Sequence, residues 1–312
     1  LFSLPLFLTT VLQLLYSTVD LVTVHFMGGG QSSMAAVAAN GALINLVIVV
    51  FSNMAMGSNV AIGNAKGANN KEKASKILHT SFLVSVISGI TVGIIGYFSS
   101  RYLLEIMGTS DHLIDLATTY LQIYFLGLPF LMIYNYLSQI MRAEGDSAMP
   151  FFILLISGLF NVAADIAFVA WLKMDVAGVA IATVISEIIS AILAILSFFF
   201  NKKSYVRLEW KQMRIDNASL KEIVRLGLPA GLQGFFFALP NVFIQAKLYQ
   251  VAPENKELQD GAIASSNIES YIYAGIEAIY SAAMSFTATN YGAKKKNSIK
   301  KIFFYSMVWN FL

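Results

Sequence analysis

The feature that most constrains this chain is a series of apolar blocks of roughly 20 residues, the length a helix needs to span the hydrocarbon core of a bilayer. They fall near residues 3–26, 36–63, 77–100, 117–141, 149–172, 176–200, 226–249 and 262–289, and a ninth opens at about residue 300. Polar breaks separate them: Gly28-Gly29-Gly30, the Lys-rich 66–76, Gly108 to Asp111, Arg142 to Pro150, Lys173 to Asp175 and the segment 201–225. Only 12% of the residues are charged, against about 25% in an ordinary soluble domain. Backbone N–H and C=O groups in hydrocarbon must be satisfied within their own segment, so blocks of this length predict helices. The expected fold class is an all-α transmembrane bundle.

The basic residues orient the bundle. The loops after spans 2, 4, 6 and 8 hold 4, 1, 7 and 5 Lys/Arg, which is 17 of the 21. The other four are Arg101, Lys173, Lys247 and Lys256. Positive charge stays on the cytoplasmic side, so the even-numbered loops and the N-terminus are expected there. The formal net charge of +3 is small, and no nucleic-acid partner is expected.

The two ends of the chain resemble each other. Leu4-Pro5 corresponds to Leu228-Pro229, "AVAAN" at Ala36 to "AIASS" at Ala262, and "KGANNKEKASKI" at Lys66 to "YGAKKKNSIKKI" at Tyr291, at offsets of 224, 226 and 225. A repeat of six spans enters the membrane twice with the same polarity. The halves are then parallel repeats about an axis along the membrane normal, with a site between or within them. Two such repeats need about 450 residues, so the sequence reads as one complete lobe, 1–200, a cytoplasmic linker, 201–225, and the start of a second lobe, 226–312.

Ionisable groups inside a membrane face the bundle interior and mark ion or substrate paths. Asp20 lies in span 1, Asn161 and Asp165 in span 5, and Thr183 in span 6 with Ser186 and Glu187 near it. Glu269 and Glu277 lie in span 8 as candidate acids of a water-filled cavity. Asn161 and Asp165 are four apart and share a helix face. Carboxylates, an amide and a hydroxyl suit a hard cation or a shared proton, not a soft metal. Hydrogen-bonded glue between helices is the competing role for each of them.

The chain has no cysteine and three scattered histidines. Thiol chemistry, zinc and haem ligation, and an intramembrane enzyme that depends on such a cluster are therefore not expected. Pro5, Pro129, Pro229 and Pro240 lie in or at the ends of spans, where proline can kink or hinge a helix. Ser85, Gly89 and Gly93 follow the small-xxx-small spacing of close helix packing. Tyr16, Tyr120, Tyr124, Tyr134 and Phe237 are aromatics that can line a cavity for flat cations. "SLKE" at Ser219 reads as a capping box that opens a short helix into Pro229.

The pieces "LPLFLTTVLQLLYSTVDLVTVHFMG", "NAKGANNKEKA", "MRAEGDSAMP", "NVAADIAFV", "DVAGVAIATVIS" and "TATNYGAKKK", in this order, resemble the multidrug and toxic compound extrusion (MATE) family. The resemblance implies a MATE-like helical bundle of two six-helix lobes. It implies a monomeric antiporter of the cytoplasmic membrane, in contact with lipid, that exports small organic, mostly cationic compounds in exchange for Na⁺ or H⁺. It also implies a cation site at Asp20, Asn161, Asp165 and Thr183 and a hinge near Pro5. Span 7 has no acid, and Phe237 stands nearest the place where some members carry a glutamate. Coupling through the first lobe is therefore expected. A lipid-linked oligosaccharide flippase of the same superfamily is the alternative, although spans so poor in Lys and Arg are unsuited to holding a diphosphate.

Overall fold

The computed structural model describes residues 2–201, 204–251 and 256–311. Lys202 and Lys203 of the predicted linker lie outside the described residues. The helices are α1 (Ser3–Met27), α2 (Gln31–Gly67), α3 (Lys71–Ile106), α4 (Asp111–Ala143), α5 (Ala148–Ile166), α6 (Asp175–Phe200), α7 (Asn217–Val251), α8 (Lys256–Gly292) and α9 (Lys296–Phe311). A π turn at Ala167–Trp171 follows α5. Among the described residues, α1 to α7 are long and apolar enough to cross a membrane. The eighth predicted span lies within α8, which is 37 residues long, and the ninth within α9.

Much of α3 turns a small, partly polar face inward and a large apolar face outward, the reverse of a helix in a soluble bundle. On α3, Ser85, Gly89, Gly93, Gly96 and Ser100 are buried. Ile87, Ile90, Ile94 and Phe98 are exposed, Phe98 by 81%. In lipid there is no hydrophobic drive to bury leucine or isoleucine against another helix; small residues let backbones approach instead. Gly89 packs on Pro129 of α4, and Gly93 on the carbonyl of Phe125. Proline at 129 has no N–H to give that carbonyl, four residues earlier, and α3 covers it.

At one end of the first lobe, Asp175 joins three helices. Its Oδ1 accepts from the Gly29 N–H at 2.8 Å, and its Oδ2 accepts from Ser33 Oγ at 2.7 Å. The start of α6 is thereby fixed to the glycine turn between α1 and α2. At the opposite, Lys-rich end the linker is held by specific bonds. Ser204 Oγ and the Val206 N–H donate to the Glu144 carboxylate at 2.6 and 3.0 Å, and the Glu209 N–H donates to His79 Nε2 at 2.9 Å.

Burial raises the pKa of the Glu144 carboxyl, against the opposing pull of the donors from Ser204 and Val206. A carboxyl whose folded pKa is raised binds more protons folded than unfolded, so its contribution to stability falls as pH rises from the unfolded to the folded value. The linker is therefore expected to become more susceptible to limited proteolysis as pH rises through the range just above about 4.3, the ordinary glutamate value. Glu144→Gln removes that pH dependence; a cleavage profile identical in wild type and variant would contradict it.

The linker differs from its sequence reading in one respect. The Ser219 N–H and Oγ both donate to Asp216 Oδ2, each at 2.8 Å, so Asp216 is the cap and α7 starts three residues before the predicted box would start it. The separate short helix expected to run from Ser219 into Pro229 is not present among the described residues. A single α7 runs through both Pro229 and Pro240. Its glycines explain how: Gly227, Gly231 and Gly234 lie against Met54, Val50 and Val49 of α2, which supports the helix where proline removes a bond.

The repeat is visible in the packing. Asn59 Nδ2 of α2 donates to Ser285 Oγ of α8 at 3.0 Å, and the two positions are 226 apart. Gly63 faces Ala288, 225 residues on. Equivalent residues meet each other only at a two-fold axis. The reciprocal contacts flank it: Leu6 of α1 packs on Ala278 and Ala282 of α8, and Gly227 of α7 on Gly57 of α2. The lobes thus touch at the Lys-rich end, while Gly41, Gly261 and Gly275 have open space where a side chain would project.

Candidate functional site

The site lies inside the first lobe, between α1, α4, α5 and α6. Asp20 follows Tyr16 by one turn of α1, and the Tyr16 ring lies over Gly158 of α5, where only glycine leaves room for it. That contact sets the approach of α1 to α5 and brings Asp20 opposite Asp165. The two carboxyls act directly on each other, and Thr183 of α6 stands close to Asp20. Thr183 Oγ1 donates to the Val179 carbonyl at 3.0 Å.

Asp165 is completely buried, and neither of its oxygens has a protein donor. Oδ1 of Asp20 and Nδ2 of Asn161, itself 5% exposed, are also buried without a partner. Two ionised carboxylates only accept hydrogen bonds and repel each other. Asp165 is buried and Asp20 half-buried, and repulsion within such a pair can be relieved by a shared proton or by a cation. Among the described residues no group of three His, Cys, Asp or Glu converges as a metal site. The oxygens present are two carboxyls, an amide and a hydroxyl.

The π turn begins two residues after Asp165, with the Leu172 N–H donating to the Ala167 carbonyl at 3.1 Å. Such turns leave backbone out of regular register and occur often at functional sites. No sequence signal announced it. Tyr120 and Tyr124 of α4 are buried at 5% and 4% exposure. Tyr120 is within electrostatic reach of Asp20, Asp165 and Glu187, and Tyr124 of Glu187 and Asp20. They are neighbours of the acids rather than the lining of an open cavity.

The other candidates stand elsewhere. Glu269 is exposed. Glu277 of α8 faces Arg142 of α4 across the lobe contact, with Tyr273 and Tyr280 beside it. Tyr134 donates to the Pro150 carbonyl at 3.0 Å, a structural bond, and Phe237 stacks on Tyr273 with ring centres 5.2 Å apart. Pro5 sits in the first turn of α1, where a missing N–H costs no intrahelical bond; Thr9 Oγ1 donates to its carbonyl at 2.7 Å.

Comparison with known proteins decides the family. The MatE family model matches residues 5–167, just over half of the chain and the part that carries Asp20, Asn161 and Asp165. The chain belongs to the MATE family. MATE proteins are membrane transporters and not enzymes. The chain is 26% identical over 311 residues to the probable multidrug resistance protein YoeA of Bacillus subtilis, covering 97% of this chain and 66% of that protein. It is 30% identical over 237 residues to the probable multidrug resistance protein YpnP of the same organism, covering 75% and 52%. Among solved structures it resembles an outward-facing multidrug resistance MATE family transporter of the MOP superfamily, with a TM-score of 0.87 at 23% identity, covering 97% of this chain and 66% of that one. The chain therefore spans between half and two thirds of these proteins' length.

Proposed function

We propose that this MATE protein exports small organic, mostly cationic compounds across the cytoplasmic membrane in exchange for H⁺ or Na⁺. In this reading Asp20, Asn161, Asp165 and Thr183 bind the coupling ion. The observation that carries it is Asp165, wholly buried in the first lobe, opposite a second carboxyl, with no donor for either oxygen. Such a group is costly unless neutralised, so ion binding stabilises the lobe geometry that holds the pair together. An ion that prefers one geometry shifts the lobe towards it by its differential affinity, and substrate release follows the shift. The names of the relatives, which refer to multidrug resistance, support the substrate class. A proton suits the pair better than Na⁺, since one shared proton satisfies both carboxyls without further ligands. The positive-inside rule makes the Lys-rich end cytoplasmic, so lobes in contact there leave the cleft open to the outside. The scarcity of basic residues in the spans disfavours the oligosaccharide-lipid alternative.

The test is efflux of a fluorescent organic cation from vesicles that contain the complete protein, under an imposed pH gradient and, separately, an imposed Na⁺ gradient. Efflux driven by one gradient supports the reading and names the ion. Efflux indifferent to both would overturn it.

A further inference from the structure

Glu187 is a buried carboxyl that the coupling pair does not use. It stands on α6 one turn beyond Thr183 and is 9% exposed. Its Oε2 is buried without a hydrogen-bond partner, and no charged group acts on it. The carboxyl occupies a slot made by Gly127 of α4: a Cβ there would collide with Oε2. Glycine inside a helix costs about 1 kcal/mol against alanine, and at this position it makes room for an acid.

The groups that face Glu187 can be named helix by helix. From α4 they are Tyr120 and Tyr124, and Tyr120 is also within reach of Asp20 of α1 and Asp165 of α5. Lys66, the only Lys, Arg or His of α2, donates to the Glu144 carbonyl at the far end. Among the described residues no Lys, Arg or His faces the carboxyl. We propose that Glu187 is a proton-binding residue of the first lobe, a second station one helical turn deeper than the Asp20–Asp165 pair, with Tyr120 and Tyr124 between the two. The proton is the cation this slot can take. Among the described residues no group of three His, Cys, Asp or Glu converges there that could hold a metal ion. Binding transfers a proton from hydronium: one O–H bond forms on a carboxylate oxygen as one O–H bond of H3O⁺ breaks and water is released. A part for Glu187 in ion exchange rests on the proposed antiport; the proton site itself does not.

The experiment is a pH titration of the complete protein in lipid vesicles, followed by infrared difference spectroscopy and by counting bound protons. Glu187→Gln is expected to bind about one proton fewer per molecule and to lose one protonated-carboxyl C=O band. Asp165→Asn loses a different band. Gly127→Ala keeps the acid but fills its slot, and moves the Glu187 band towards that of a solvated carboxyl. A proton count and band pattern unchanged by Glu187→Gln would overturn the proposal even if gradient-driven efflux is intact. Loss of the Glu187 band in a protein that shows no gradient-driven efflux would uphold this site and remove the antiport reading alone.

Discussion

Asp165→Asn is expected to reduce gradient-driven efflux to that of protein-free vesicles and, at the same time, to make the protein more stable. The two effects have one cause. Asp165 is a fully buried acid whose oxygens have no donor, and an amide in its place removes the repulsion between two like carboxylates, worth about 1.4 kcal/mol for each unit by which that repulsion moves a pKa. The amide keeps the shape and can donate to Asp20, so the lobe stays packed without a coupling ion. It then has nothing for ion binding to change. Loss of efflux with raised thermal stability is the pattern of a site held under strain for function. If Asp165 were only glue between helices, the same change would lower stability and leave a proportionate amount of transport. Thermal unfolding in detergent, read beside vesicle efflux, separates the two.

Gly67→Val should have the second large effect, on the contact between the lobes. A Cβ at position 67 would run into the Thr289 carbonyl and the Ala293 N–H of the second lobe. Both are backbone atoms, so no rotamer change relieves the clash. Overpacking of this kind costs about 1–3 kcal/mol, and free energies of that size shift a two-state equilibrium by roughly 5–150-fold. The readout is crosslinking of the Asn59→Cys, Ser285→Cys pair, in a chain that has no cysteine of its own. The crosslink should form readily in the parent and fall steeply with Gly67→Val. Gly41→Val, at a position with nothing within 4 Å, should leave it unchanged. Equal yields in all three would show that the Lys-rich end is not where the lobes close.

The two predictions draw on different amounts of sequence information. The spans were legible because hydrocarbon demands long unbroken apolar helices, and the Lys/Arg bias counted them a second time. The two-fold relation was legible as an offset of about 225 residues, but not which equivalent residues, such as Asn59 and Ser285, would meet across it. Asp20, Asp165 and Thr183 stood out as polar groups in apolar runs, and the fold brings them together. What the sequence hid depends on how close two helices come. Glu187 was visible as an acid near Thr183, but its slot exists only because Gly127 of α4 lies opposite. Tyr120 and Tyr124 looked like any interfacial aromatics until α4 and α6 were packed. That Arg142, 135 positions away in the sequence, comes within electrostatic reach of Glu277 was not legible either. The early start of α7 was missed because Asp216, and not Ser219, presents the capping oxygen, a choice made by local backbone geometry.

The central claim is that substrate and coupling ion compete through the buried acids of the first lobe. The most direct measurement is proton release from the purified complete protein, in weakly buffered detergent solution, when an organic cation is added. The account predicts release in the wild type, with affinity for the cation falling as pH is lowered, and neither effect in Asp165→Asn. Cation binding that releases no proton and has the same affinity at every pH, in the absence of Na⁺ and in its presence, would contradict it.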